Sequence, residues 1–254
     1  MMNPAEPAIL LVDDDVDICH NMMDILTDLG YQVDVAHDGL SALEQIRRKS
    51  YDVALLDLKM PGMDGLDLYR EIKKLRAGTV AIIVTGFTSD AKVEEALAVG
   101  AWQVLSKPID FPSLLELVDE AIGQPLVLVV DDDRDLCSNL WDLLRERGYR
   151  VCLAYNESEA AEQLREAIFK VVLIDMKIPG GDGSRVFHMV RSANPQSRTV
   201  LITGNRAEMD RLIEQVLAEG ADAVCYKPFD IPQLLDSLEH LARTKNGGRG
   251  NEAG

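Results

Sequence analysis

Two sets of five polar residues repeat along the chain in one order: Asp13, Asp14, Asp57, Thr85 and Lys107, then Asp131, Asp132, Asp175, Thr203 and Lys227. In each set the third aspartate opens the pattern D-x-x-x-P-G-x-D-G, and the threonine and lysine lie in T-G and K-P pairs. Three carboxylates gathered at one point repel one another and raise their own pKa values unless a cation joins them. A hard ion such as Mg²⁺ takes oxygen ligands, keeps several waters, and is commonly held by one or two carboxylates plus a phosphate. A carboxylate beside such an ion can attack phosphorus and become an acyl phosphate. That chemistry depends on positioning and charge neutralisation more than on proton movement. Lys107 and Lys227 fit as the second positive charge, and Thr85 and Thr203 as hydroxyl donors to a phosphoryl oxygen. The residues predict one Mg²⁺ and one acceptor aspartate per set, with Asp57 and Asp175 as nucleophiles and Asp13, Asp14, Asp131 and Asp132 completing the carboxylate groups.

These residues must be brought together by a duplicated scaffold. An offset of 118 residues lays Val12–Asp15 on Val130–Asp133, Gly30-Tyr31 on Gly148-Tyr149, and Asp57 on Asp175; it becomes 120 by Lys107 and Lys227. A period this long is a repeated domain, since solenoid units run roughly 20 to 50 residues. Gly123, Gln124 and Pro125 punctuate the junction, placing domains at 7–122 and 125–242. Residues 243–254 have no apolar periodicity and read as a flexible tail.

Within the first repeat, Ala8–Val12, Val53–Leu56, Val80–Val84 and Val104–Leu105 are short apolar runs of the kind that form parallel strands buried on both faces. Tyr31–Val35 alternates and suits a sheet edge. Helical spacing links Ile18, Met22, Ile25, Leu26 and Leu29, and again Leu114, Leu117, Val118, Ala121 and Ile122. Strand and helix alternate five times, which predicts an α/β, doubly wound, parallel sheet with right-handed crossovers. Ligands in such sheets bind beyond the carboxyl ends of the strands, where all five polar residues of a set fall. The second repeat follows suit, from Leu126–Val130 to a last helix near Ile231–Leu241. Each X-Pro bond after the lysines is a candidate cis peptide. Gly86 and Gly204 are expected to leave room for the threonine hydroxyls to turn inward.

The chain of 254 residues is 47% hydrophobic and 27% charged, enough to bury two cores. Its net charge is −17, with 22 acids against 10 bases in residues 1–124 and 21 against 16 in 125–254. Such a polyanion without a basic cluster argues against nucleic-acid binding. No apolar run is long enough for a membrane span and no signal peptide is evident, so the cytoplasm is the expected compartment. Cys19, Cys137, Cys152 and Cys225 lack metal or disulfide spacing and read as packing residues, as do Trp102 and Trp141. Asp15 and Asp133 read as helix-start or rim charges, and His20, His37, His188 and His240, unmatched between repeats, as ordinary surface histidines.

Taken together, D-D, then D-x-x-x-P-G-x-D-G, then T-G and K-P, in order in both copies, resemble the receiver domains of two-component response regulators, the CheY-like chemotaxis receivers among them. The resemblance covers nearly the whole chain. It implies two flavodoxin-like (βα)5 domains with five-stranded parallel sheets in the order 2-1-3-4-5. It also implies that the Lys59 and Lys177 main-chain carbonyls help to hold the metal, and that the donor is a phosphohistidine on a histidine kinase or histidine phosphotransfer protein. Many receivers carry Tyr or Phe three residues before the site lysine; this chain has Val104 and Val224 there. A cation at Lys59 and Lys177 would obstruct attacking water, and the contrast of Phe87 with Asn205 predicts unequal phospho-lifetimes. Without an output domain in the sequence, signalling is expected through a downstream protein partner, with a homodimer allowed, in a phosphorelay role and not as a turnover enzyme. One alternative is the receiver portion of a larger hybrid kinase. Another is an aspartyl-phosphate hydrolase, whose D-x-D-x-T/V pattern Asp13-Asp14-Asp15-Val16-Asp17 breaks. A scaffold with idle sites is disfavoured by two complete residue sets. The short junction at Ile122–Pro125 motivates coupling between the domains.

Overall fold

The computed structural model describes residues 6–86, 89–178, 181–204 and 206–243, with the backbone alone at 206–210. The chain divides into two compact units, Met1–Gln124 and Pro125–Gly254. The first unit runs β1 (Ala8–Val12), α1 (Val16–Asp28), β2 (Gln32–Ala36), α2 (Gly39–Arg48), β3 (Val53–Asp57), α3 (Gly65–Leu75), β4 (Val80–Thr85), α4 (Asp90–Val99), β5 (Gln103–Ser106) and α5 (Phe111–Gly123). The second runs β6 (Leu126–Val130), α6 (Arg134–Arg145), β7 (Arg150–Ala154), α7 (Glu157–Glu166), β8 (Val171–Asp175), α8 (Gly183–Ala193), β9 (Arg198–Thr203), α9 (Arg206–Ala218), β10 (Ala223–Tyr226) and α10 (Ile231–Arg243).

Both sheets are parallel, in the orders β2-β1-β3-β4-β5 and β7-β6-β8-β9-β10. This is the doubly wound sheet expected from the alternating runs, in the flavodoxin-like strand order that the resemblance implied. The pleat sorts the apolar residues of each strand to opposite faces. In β1, Ile9 and Leu11 join Cys19, Met22 and Leu26 of α1 and Leu114, Val118 and Ala121 of α5. Leu10 and Val12 instead meet Ala42 and Ile46 of α2 and Leu68, Tyr69 and Ile72 of α3. Helices on both faces explain why the central strands are apolar at every position.

Helix starts are set by side-chain caps that satisfy the first free N–H groups. Asp15 accepts from the Asp17 and Ile18 amides, and Asp133 from those of Asp135 and Leu136. Asp38, Asp64, Asn156 and Asp182 cap α2, α3, α7 and α8 in the same way. The helix-start reading of Asp15 and Asp133 is therefore what the fold contains.

Several boundaries differ from those read in the sequence, β2 (Gln32–Ala36) and β5 (Gln103–Ser106) by one residue at each end. β3 extends to Asp57 and β4 to Thr85, because backbone pairing continues past the last apolar side chain. Arg243 closes α10 instead of opening a tail; the remainder of that stretch, 244–254, lies outside the described residues. Among the described residues, no helix is long and apolar enough to cross a membrane.

Candidate functional site

Parallel pairing delivers the polar residues to one edge of each sheet. Asp57 and Thr85 end β3 and β4, while Asp13 and Lys107 follow β1 and β5 by one residue. The ladder holds their backbones: the Asp13 amide donates to the Ala36 carbonyl at 3.2 Å, Leu58 to Val84 at 3.1 Å, and Lys107 to Thr85 at 2.8 Å. In the second unit Asp131 donates to Ala154 at 3.1 Å, Met176 to Ile202 at 2.8 Å, and Lys227 to Thr203 at 2.8 Å. Both Lys-Pro peptides are cis, as their X-Pro chemistry allowed.

The lysines bind the carboxylates into a knot. Lys107 Nζ donates to Asp13 Oδ2 at 2.6 Å and pairs with Asp57 Oδ1 at 3.0 Å. Lys227 Nζ donates to Asp131 Oδ2 at 2.6 Å and Asp175 Oδ2 at 2.7 Å. Main-chain amides hold the other oxygens. Those of Asp15 and Lys59 donate to Asp13 and Asp57 at 3.0 and 3.1 Å, and those of Asp133 and Lys177 to Asp131 and Asp175, each at 3.0 Å. Asp13, Asp57, Thr85, Asp131, Asp175 and Thr203 are buried, whereas Asp14 and Asp132 are exposed.

Burial pushes the Asp57 carboxyl above its ordinary pKa and the Asp13 charge adds to this, outweighing the opposing pull of Lys107. Asp131 is likewise raised by burial and by Asp175, against the pull of Lys227. Burial alone would lower both lysines, but the hydrogen bonds and charges of their paired aspartates raise them. They are cations at neutral pH.

One ligand oxygen from each of Asp13, Asp14 and Asp57 lies within 4.8 Å of the others, and the same holds for Asp131, Asp132 and Asp175. Hard oxygen donors with an exposed carboxylate on the open side suit a divalent ion that retains water. All ten repeated residues are thus brought to two sites, five to each. The main-chain amides of Lys59 and Lys177 donate to Asp57 and Asp175, and both side chains are exposed.

Several supporting residues escaped the sequence reading. A Cβ at Gly65 would meet the Asp57 carbonyl oxygen at 2.3 Å, and one at Gly183 the Asp175 carbonyl oxygen at 2.5 Å. These glycines let α3 and α8 start directly against the backbone of Asp57 and Asp175. The repeated Asp-Gly pair is the available signal in the sequence. His37, read as a surface residue, places Nδ1 3.2 Å from the Asp13 carbonyl oxygen.

Apart from their chain neighbours, a Cβ at Gly86 would meet nothing within 4 Å among the described residues, and one at Gly204 only ordinary contacts with Lys227. Cys19 and Cys137 are buried and donate to the Asp13 and Asp131 carbonyls, each at 3.3 Å. Burial pushes their thiols to about 11 and about 12. Val104 and Val224 pack against the cores where an aromatic switch would sit. Phe87 and Asn205 lie outside the described residues.

The response regulator receiver domain model matches residues 9–119 and again 127–239. A response regulator receiver protein of Anaeromyxobacter sp. (strain Fw109-5) is 32% identical over 236 residues, covering 93% of this chain and 95% of that one. The transcriptional regulatory protein ZraR of Salmonella typhimurium is 41% identical over 115 residues, which is 45% of this chain but 26% of ZraR. Among solved structures, a CheY-like receiver domain protein from Methanospirillum hungatei JF-1 is 35% identical, with a TM-score of 0.45, over 46% of this chain and 94% of its own. The chain belongs to the response regulator receiver family, and carries its domain twice. It is therefore a two-component signalling protein of the phosphoryl-accepting kind, with two receivers in tandem.

Proposed function

We propose that the chain is a phosphorelay protein that binds one Mg²⁺ per unit and accepts a phosphoryl group on Asp57 and on Asp175. The donor in this reading is a phosphohistidine of a histidine kinase or phosphotransfer protein, and the signal leaves by contact with a downstream protein. The observation that carries the reading is the pair of buried acceptor carboxylates, each beside a lysine at 3.0 or 2.7 Å and each within reach of two more aspartates. A Mg²⁺ at either site would neutralise negative charge on acceptor and phosphate. It would be held by Asp13, Asp14 and Asp57 with the Lys59 carbonyl, or by Asp131, Asp132 and Asp175 with the Lys177 carbonyl.

The protein's own groups account for the rest. Lys107 and Lys227 hold the acceptors as carboxylates and then pair with a phosphoryl oxygen. Thr85 and Thr203 offer hydroxyl donors to another. The exposed cations Lys59 and Lys177 stand two residues after the acceptors, where they retain the phosphoryl group and hinder water. The chemistry is one self-catalysed transfer followed by slow self-hydrolysis, not turnover of a free substrate.

Incubation with acetyl phosphate and Mg²⁺, followed by intact-mass analysis, tests this. Two phosphoryl groups are expected on the wild type, one on Asp57→Asn or Asp175→Asn, and none on the double variant. Labelling that persists in the double variant would remove both assignments. A phospho-lifetime of only seconds at neutral pH, unchanged by Lys59→Ala, would remove the shielding role.

A further inference from the structure

The knots of the two units match, but the side chains at their mouths do not. The first residue of α1, two positions beyond Asp14, is Val16; its counterpart on α6, two positions beyond Asp132, is Arg134. A cation in the first turn opposes the helix dipole, which favours negative charge there. Arg134 nevertheless lies with its guanidinium over the Tyr155 ring, 3.9 Å from the centroid. Tyr155 follows Ala154, whose carbonyl accepts from the Asp131 amide, so the stack stands at the margin of the second site. The Tyr155 backbone is itself fixed, its amide donating to Glu159 Oε2 at 2.8 Å.

Two other charged differences at this mouth pair off locally. Glu157, in the place of Gly39, meets Arg185 at 3.6 Å. Glu159, in the place of Ser41, takes the Tyr155 amide and the Asn156 side chain at 2.8 Å each. Arg134 is an added positive charge at the entrance, held against a ring face.

We infer that Arg134, stacked on Tyr155 beside the Asp131–Asp175–Lys227 knot, is a specificity-determining residue that draws small anionic phosphoryl donors to the second acceptor, where Val16 gives the first no such attraction. This rests on the acceptor roles proposed above. The donor class is the free acyl phosphate: an Asp175 carboxylate oxygen forms the new O–P bond, the donor's acyl O–P bond breaks, and a carboxylate anion leaves with no proton required. The protein's overall negative charge repels such donors from both mouths, so one well-placed cation acts on the encounter rate and is sensitive to salt.

The test uses the full chain at saturating Mg²⁺ with acetyl phosphate as probe. In an Asp57→Asn background, Arg134→Val is expected to slow Asp175 labelling about threefold at low ionic strength, the gap closing near 0.5 M salt. Arg134→Lys, which keeps the charge, is expected to restore most of the rate. In an Asp175→Asn background, Val16→Arg is expected to speed Asp57 labelling with the opposite salt trend. An unchanged rate in Arg134→Val, or a loss of equal size at every salt concentration, would overturn the inference and leave the acceptor assignment standing. Absence of any label on Asp175 in the parent would overturn that assignment, and the inference with it.

Discussion

Lys107 stands 2.6 Å from Asp13 and 3.0 Å from Asp57, while Lys227 stands 2.6 Å from Asp131 and 2.7 Å from Asp175. A few residues outward the likeness stops. In the first unit a Cβ on Gly39 would strike Met63 Sδ at 2.8 Å; in the second a Cβ on Gly181 would strike Glu157 Oε2 at 2.7 Å. The small and large partners have changed places across the same gap between α2 or α7 and the loop after the acceptor. Inside the knot, charge and distance leave little freedom, because a buried carboxylate must have its cation. At the rim only the volume has to be filled, so the chemistry is open to change.

The largest expected effect would break the equality of the knots. Lys227→Ala strands the fully buried Asp131 and the buried Asp175, and without divalent metal it should cost the second unit about 3 kcal/mol. Lys107→Ala, whose longer contact implies a weaker hold on Asp57, should cost the first unit about 2 kcal/mol. Trp102 reports the first unit and the buried Trp141 the second, so urea unfolding followed in Trp141→Phe and Trp102→Phe backgrounds reads each separately. Equal losses would show that the difference of contact carries no energy.

Next comes the approach of the helices to the acceptors. Gly65→Ala and Gly183→Ala drive a methyl into backbone that cannot yield, and each should cost about 2 kcal/mol and slow labelling of its own aspartate. The closer contact at Gly65 predicts the larger loss in the first unit. Normal labelling in either variant would show that the helix start does not position the acceptor.

The rim exchange predicts a smaller, coupled effect. Gly39→Glu alone should cost about 1 to 2 kcal/mol through overlap with Met63, and Met63→Gly should relieve most of it, giving a coupling energy near ~1 kcal/mol. Additive losses in the double-variant cycle would mean that the two positions fill separate spaces.

The smallest effect is one of reactivity. With thiols raised to about 11 and about 12, Cys19 and Cys137 hold almost no thiolate at pH 8 and should resist iodoacetamide in the native chain. Cys152 and Cys225 are both half-buried, and burial raises the Cys225 thiol, so Cys152 should react first. Mass mapping after brief alkylation gives the order, and early loss of Cys137 would contradict the burial of α6.

Much of this was legible in the sequence because the chemistry is written in residue types that have few other uses in that order. Buried parallel strands are apolar at every position, so Ala8–Val12 and Leu126–Val130 could be read to the residue. Asp57 and Thr85 were harder to bound, since a polar side chain hides the fact that its backbone still pairs. α4 gave little periodic signal because Ala96 is its one buried residue. The closeness of Gly65 to the Asp57 carbonyl, and of Arg134 to Tyr155, depends on how separate elements meet in space; no local pattern encodes that.

The span of each knot bears on when the site exists at all. Lys107 and Asp13 are 94 residues apart, and Lys227 and Asp131 are 96 apart, so each bond ties the first strand of a unit to its last. If the aspartates are the acceptors proposed above, a nascent unit lacking either terminal strand would have no competent acceptor, however well its middle is folded. Modification at the aspartate would then certify a finished unit.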